Sequence, residues 1–195
     1  MSDPASATGI SAPRFARFVS IALHPFAVFA MLTLLAAWRL DPASLPRVAL
    51  GMAVVVAAVW AFVWQRHRGG HWGTVDASSK HERPLLYVVV LALMLAYAAW
   101  VSRASPLAGG IIAVMAMLCI AGIANRWIKL SLHMASLAFC AMALWPINRD
   151  IALVAFALLP LLGWSRLRMA RHTWPEVVGG TMLGLATGIV LQLLR

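Results

Sequence analysis

The sequence predicts an all-α protein, a polytopic membrane helical bundle with six to seven transmembrane helices. Hydrophobic residues make up 63% of the 195-residue chain and charged residues 11%, whereas a soluble domain has about 25% charged residues. Several apolar runs approach the roughly 20 residues that a spanning helix needs, and the alternation typical of membrane barrel strands is absent. We expect a single integral-membrane domain over residues 17–195, preceded by a disordered tail at 1–16.

Seven apolar runs are the predicted helices, and polar or proline-containing breaks separate them. They cover about 18–38, 48–64, 84–101, 107–124, a short run ending near 145, 151–164 and 175–194. Pro84 and Pro175 suit the first turn of a helix, and His24-Pro25 predicts a kink with a hydrogen-bonded histidine. Because the fifth and sixth runs are short, they could also form a hairpin that does not fully cross.

Glycines and tryptophans add detail to this plan. Glycines that permit close helix packing occur in the fourth run (Gly109, Gly110, Gly122), and on one face of the last run (Gly180, Gly184, Gly188). The nine tryptophans mostly lie near the ends of runs, as in the aromatic belts of membrane proteins. Cys119 and Cys140 lie inside apolar runs, which predicts small buried side chains rather than a disulfide or a metal pair.

Three polar segments interrupt the apolar runs, at residues 66–84, 125–133 and 164–175. With seven spans, all three lie on the side of the N-terminus; with a hairpin, the second and third still share a side. They can therefore form one site. Eleven of the sixteen Lys and Arg residues lie on this side, so the positive-inside rule favours a cytoplasmic location. When the four candidate phosphate ligands are left out, seven Lys and Arg residues remain on this side and five on the other. That difference is too small to indicate the orientation.

The polar segments contain residues suited to phosphate chemistry. The net charge of +10 forms no separate basic domain, which favours anionic lipids or a phosphorylated substrate over nucleic acid. Arg83, Arg166 and Lys129, at the edges of different segments, could bind a phosphoryl group. His172 can act as a nucleophile on phosphorus, oriented by a carboxylate one helical turn away at Glu176. His133 could protonate the leaving oxygen, so no metal or other cofactor is required.

The three segments resemble the signatures of the type 2 phosphatidic acid phosphatase superfamily. Ser165-Arg166, five residues, His172, three residues and Glu176 resemble the third signature, Ser-Arg-x5-His-x3-Asp. Arg83-Pro84 is similar to the end of the first (Lys-x6-Arg-Pro), and Ser131-Leu132-His133 to the second (Pro-Ser-Gly-His). The resemblance covers roughly residues 48–194. It implies a phosphohistidine formed on His172, His133 as general acid, Glu176 orienting His172, and Arg83, Arg166 and Ser131 around the phosphoryl group.

This chain departs from the family pattern at several positions. Asp76 stands in place of the first-signature lysine, which Lys80 or Lys129 could replace. Leu130 and Leu132 stand in place of the proline and glycine of the second signature, and Glu176 in place of an aspartate. The expected activity is hydrolysis of a phosphomonoester or diphosphate of an isoprenoid or glycerolipid. The expected location is multi-pass in the bacterial inner (plasma) membrane.

Other interpretations of these residues remain open. Thr173 to Glu176 also forms a helix-capping box, a role that does not exclude the catalytic one, and Arg168 and Arg171 are typical of interfacial anchors. A haem protein would use His24, His133 and His172 as inward-facing ligands, but it leaves the arginines unexplained. A catalytically inactive relative, acting as a membrane scaffold or lipid-binding protein, is the main alternative to an enzyme.

Overall fold

A computed structural model describes residues 14–70, 83–102 and 105–194, which form an α-helical bundle. A 3-10 turn at Pro42–Ser44 links the second and third helices. The helices are α1 (Arg14–Ala22), α2 (Pro25–Leu40), α3 (Leu45–Arg68), α4 (Arg83–Val101), α5 (Ala108–Ala124), α6 (Leu132–Leu144), α7 (Arg149–Arg168) and α8 (Trp174–Leu193). The predicted all-helical fold is confirmed for these ranges.

Five helical segments of the described chain are long and apolar enough to cross a membrane. They are α1 with α2, α3 with the turn before it, α4, α7 and α8. α5 and α6 are also apolar but have 17 and 13 residues, and 13 residues extend only about 20 Å at the helical rise. The fold is therefore a membrane-type helical bundle in which α6 is too short to span the hydrocarbon layer unaided.

The sixth apolar run forms a longer helix than its hydrophobicity predicts. The expected short segment at 151–164 is wrong, because α7 runs from Arg149 to Arg168. Asn148 caps its start by accepting a hydrogen bond from the Ile151 N–H at 3.1 Å. At the other end the helix continues through Ser165 and Arg166, because both side chains make hydrogen bonds to α1. α7 is thus long and apolar enough to span a membrane by itself, rather than half of a shallow hairpin.

The first apolar run is divided at His24, where a kink was expected. Pro25 removes a backbone donor and disfavours a helical conformation at the residue before it. His24 accordingly has an extended conformation and caps α2, with its Nδ1 accepting from the Phe26 N–H at 3.4 Å. Residues 14–16, assigned to the tail, belong to α1; the rest of the proposed tail lies outside the described residues.

α6 lies at the centre of the bundle, with ten of its thirteen residues buried. Gly180, Gly184 and Gly188 of α8 lie directly against it. A Cβ at Gly180 would collide with the Ser131 backbone, and one at Gly184 with the Ala135 carbonyl. The predicted close-packing face of the last helix is therefore confirmed, and its partner is α6.

The glycines and cysteines of α5 follow the prediction only in part. Gly109 and Gly122 have ordinary contacts with Leu191 and Tyr87, at 3.5 Å from an added Cβ, but Gly110 has open space around it. Cys140 is buried as expected, whereas Cys119 is exposed, because that face of α5 points away from the other helices. These two predictions, Gly110 as a packing glycine and Cys119 as a buried side chain, are wrong.

Tryptophans near the helix ends pair with arginines at both ends of the bundle. The guanidinium carbons lie between 4.7 and 5.9 Å from the ring centroids in the pairs Arg39–Trp38, Arg68–Trp64, Arg126–Trp127 and Arg149–Trp145. Aromatic rings and long cationic side chains are typical of the membrane–water boundary. The ends of α2 and α3 and the segments on either side of α6 therefore have the side chains typical of such a boundary.

The same substitution at two glycines should change stability in opposite directions. Gly184→Ala forces α8 away from the Ala135 carbonyl, so we expect the free energy of unfolding to fall by about 2 kcal/mol. Gly110→Ala is the control, because it gains helix propensity in open space and should raise stability by up to about 1 kcal/mol. Thermal unfolding in detergent measures both; equal shifts would contradict the α6–α8 contact.

Candidate active site

A tight turn brings the end of α7 next to the start of α8. The Arg171 N–H bonds the Arg166 carbonyl at 3.1 Å, and the Ala170 N–H bonds the Leu167 carbonyl at 2.9 Å. Together with the left-handed conformation of Ala170 (φ 51°), this is a Schellman motif. Glycine usually occupies that position, so its absence made the turn hard to predict. The turn reverses the chain within the five residues that separate Arg166 from His172.

His172 and Glu176 form the buried pair that the spacing predicted. The His172 Nδ1 and the Glu176 Oε2 are 3.0 Å apart, and 1% of the histidine side chain is exposed. A carboxylate can only accept, so Nδ1 carries the proton toward Glu176, and in the neutral ring Nε2 has the lone pair that a nucleophile needs. The arrangement has the geometry of a histidine oriented by an acid.

Glu176 makes both of the contacts that its sequence position indicated. The same Oε2 accepts a hydrogen bond from the Thr173 N–H at 3.1 Å, which caps the first turn of α8. Capping boxes use Glu or Gln at this position because the side chain must reach back over a full turn. A glutamate, where the third signature that this segment resembles has an aspartate, is thus compatible with contact to both the helix end and His172.

Ser131 connects the second polar segment to this pair. Its N–H donates to the Glu176 carbonyl at 3.0 Å, and the residue is completely buried at the start of α6. Its Oγ has no hydrogen-bond partner among the described residues. Gly180 of α8 lies against the Ser131 backbone. The second segment therefore packs closely on α8, although it lacks the proline and glycine of the second signature. The predicted meeting of the second and third segments is confirmed.

Arg166 is the buried cation of the site, with 5% of its surface exposed. Its Nη1 donates to the Ser20 Oγ at 2.6 Å. Burying a guanidinium is costly unless hydrogen bonds compensate the lost hydration, and a buried arginine within a membrane helix is usually functional. Arg166 therefore fits a ligand for an anionic group better than an interfacial anchor. Arg168, two residues later, is exposed as an anchor would be.

A cavity of about 700 Å³ opens beside these residues, within the size range of ligand sites, about 300–1,000 Å³. His24, His133 and Arg166 line its wall at the end where the polar segments meet. The remaining wall is almost entirely apolar and reaches Leu107 and Ile147 at the opposite end of the bundle. The cavity thus combines a cationic and imidazole-lined end with a long apolar interior.

Not all of the candidate residues contribute to this wall. His133 and Arg166 do, while His172 is buried in its pair with Glu176 and does not line the cavity. Lys129 is half-buried in the segment before Ser131. Arg83 begins α4, but its side chain, like Lys80 and Asp76, lies outside what the structure describes, so the choice between Lys80 and Lys129 stays open.

Two polar residues near the N-terminus contact site residues and belong to no recognised motif. Ser20 binds Arg166 as described above. The His24 and His133 rings meet edge to face, with centroids 5.1 Å apart and planes at 86°. This direct contact leaves no space for a haem between the two rings. The available signal was a serine and a histidine four residues apart in an otherwise apolar run, on the side where the polar segments lie.

Within the described ranges, no three His, Cys, Asp or Glu side chains form a group suited to a metal ion. Comparisons with known proteins add no further assignment. No family model matches the chain, and neither a curated protein nor a solved structure matches it significantly.

Ala170→Gly should stabilise the turn between Arg166 and His172. A left-handed conformation costs an alanine about 1 kcal/mol or more, while glycine adopts it freely, so the free energy of unfolding should rise by up to about 1 kcal/mol. Ala116→Gly is the control, on the exposed middle of α5, where the same change should be destabilising. Thermal unfolding of both variants measures the difference. A drop for Ala170→Gly would contradict the assigned turn.

Proposed function

We propose that the protein is an integral membrane lipid phosphatase that hydrolyses a lipid phosphate or diphosphate through a phosphohistidine. The observation that carries this proposal is the buried His172–Glu176 pair at 3.0 Å, beside the Ser131 backbone. The resemblance to the type 2 phosphatidic acid phosphatases supports the same roles. Arg166 on the cavity wall supplies the cation that a phosphoryl group requires.

The proposed reaction has two steps and uses only side chains and water. In the first, His172 Nε2 attacks phosphorus, the bond to the leaving oxygen breaks, and His133 gives its proton to that oxygen. In the second, water attacks the phosphohistidine, His133 takes the proton, and inorganic phosphate leaves His172 free. Glu176 stabilises the positive charge on His172 during the first step, while Arg166, Ser131 and Lys129 are the candidate ligands of the phosphoryl oxygens, with Arg83 and Lys80.

The cavity supports a lipid as the substrate. Its apolar interior suits a long hydrocarbon chain, and its imidazole and guanidinium end suits a phosphate or diphosphate head. Isoprenoids and glycerolipids both have this combination of groups. Five segments long and apolar enough to span a membrane are consistent with a substrate that is presented from the bilayer, and we propose the bacterial inner membrane as its location.

Phosphate release in detergent, measured with and without EDTA, tests this proposal. The panel contains isoprenyl phosphates, isoprenyl diphosphates, phosphatidic acid and phosphatidylglycerophosphate, with His172→Ala assayed in parallel. We expect wild type to release phosphate from at least one lipid and His172→Ala to be inactive, since alanine has no nitrogen that could attack phosphorus. A near-normal rate of phosphate release in His172→Ala, or complete loss of the wild-type rate with EDTA, would overturn the mechanism. No phosphate release by wild type under either condition would favour the inactive membrane scaffold.

Glu176→Gln should separate catalysis from helix capping. Glutamine keeps a side-chain acceptor for the Thr173 N–H but removes the negative charge beside His172. We expect the melting temperature to stay near that of wild type while kcat falls by about 10²-fold or more. Glu176→Ala removes both functions, so it should lower kcat and melting temperature together. Wild-type kcat in Glu176→Gln would show that Glu176 serves only as a cap.

A further inference from the structure

The C-terminal part of α1 and the turn that follows it approach the proposed site at two points. Ser20 and His24 lie four residues apart, and each contacts a different residue of the proposed phosphatase site. The family resemblance begins at about residue 48, so it assigns no role to either of them. Both contacts lie at the polar end of the cavity, whose wall includes Ile21 and His24.

Ser20 makes a short hydrogen bond to a buried cation. Ser20 and Arg166 are each 5% exposed, and the Ser20 Oγ lies 2.6 Å from the Arg166 Nη1. A guanidinium is planar and its five N–H donors have fixed directions, so a bond at one donor restricts the rotation of the whole plane. Ser20 therefore influences the direction in which the other donors point.

α1 is also anchored to the residue before Arg166. The Ser165 Oγ donates to the Ala16 carbonyl at 2.6 Å, and Ala16 and Val19 are buried on the same face of α1 as Ser20. Phe15 packs against Trp164, with ring centroids 6.0 Å apart. Three consecutive residues of α7 thus contact α1, and the Ser20 hydroxyl is held in place by a docked helix rather than a free chain end.

His24 is positioned to restrict His133. Its Nδ1 accepts from the Phe26 N–H, so in the neutral ring the proton is on Nε2 and the ring is held at the start of α2. The two imidazoles are nearly perpendicular, and both line the cavity with Arg166. Ring contact of this kind favours a limited set of His133 orientations.

We infer that the N-terminal helix pair forms one wall of the phosphate site, with Ser20 positioning Arg166 and His24 positioning His133. This inference rests on the proposed function, because it assumes that Arg166 binds the phosphoryl group and that His133 protonates the leaving oxygen. Both N-terminal residues act through these two, so they are positioning residues rather than catalytic ones.

Binding of orthovanadate, a phosphate mimic, tests the Ser20 contact without turnover. Titration is followed by the rise in melting temperature that ligand binding causes. We expect Ser20→Ala to bind orthovanadate about tenfold more weakly, the scale of a hydrogen bond to a charged group, and Ser20→Thr to restore binding. Ser44→Ala is the control, because its hydroxyl donates to the Asp41 carbonyl at the opposite end of the bundle. If Ser20→Ala does not fold, Ser20→Cys replaces the hydroxyl with a weak sulfur acceptor.

Two substrates with different leaving groups test the His24 contact. A general acid matters for an alkyl phosphate, whose leaving oxygen is strongly basic, and little for p-nitrophenyl phosphate. We therefore expect His24→Asn, which retains a capping side chain, to lower kcat for the lipid substrate about tenfold with little effect on p-nitrophenyl phosphate. His133→Ala should show the same selectivity to a greater extent. The melting temperature of His24→Asn should stay close to that of wild type.

The outcomes separate this inference from the proposed function. Failure of wild type to bind orthovanadate and to turn over any lipid would overturn both. Binding and turnover by wild type, with unchanged orthovanadate affinity in Ser20→Ala and unchanged kcat in His24→Asn, would overturn the inference alone. Tighter orthovanadate binding in Ser20→Ala would also overturn it, because Ser20 would then compete with phosphate for Arg166.

Discussion

The close contact between α6 and α8 determines where the polar residues meet. Three glycines let α8 lie directly against α6, and the Ser131 N–H bonds the Glu176 carbonyl at the polar end of that contact. A larger residue at Gly180 would move the Ser131 backbone away from the turn that carries His172. The second and third polar segments therefore converge because of a packing constraint in the apolar part of the helices, and the bonds between polar groups follow from it.

The sequence was sufficient to predict the helical fold, since hydrophobic runs, prolines and glycine spacing report directly on membrane helices. It was less informative about helix ends. The extension of α7 through Arg166 depends on hydrogen bonds that Ser165 and Arg166 donate to α1, which is distant in sequence. The open space at Gly110 and the exposure of Cys119 depend on which neighbours each face of α5 has. These features depend on tertiary contacts, which composition and periodicity do not predict.

The contacts of the candidate site also differ in whether a local sequence pattern predicts them. The pairing of His172 with Glu176 was predicted from the four-residue spacing and is confirmed. Its physical basis differs, because His172 lies before α8 and Glu176 reaches back over the first turn of that helix. The contacts of Ser20 and His24 were not predicted, because they join residues more than a hundred positions apart. The number of predicted spans placed the start of this N-terminal run on the same side as the polar segments. No local sequence pattern, however, distinguishes a serine that binds Arg166 from one that binds its own helix.

The two hydrogen bonds to Glu176 Oε2 have a thermodynamic consequence. Because one oxygen holds both the Thr173 N–H and the His172 ring, fraying of the first turn of α8 and release of the imidazole become a single opening equilibrium. Local openings of this kind are cooperative and have their own free energies, below that of global unfolding. Amide hydrogen exchange at the start of α8 would therefore report the fraction of molecules in which His172 is correctly oriented, in a protein with no substrate bound.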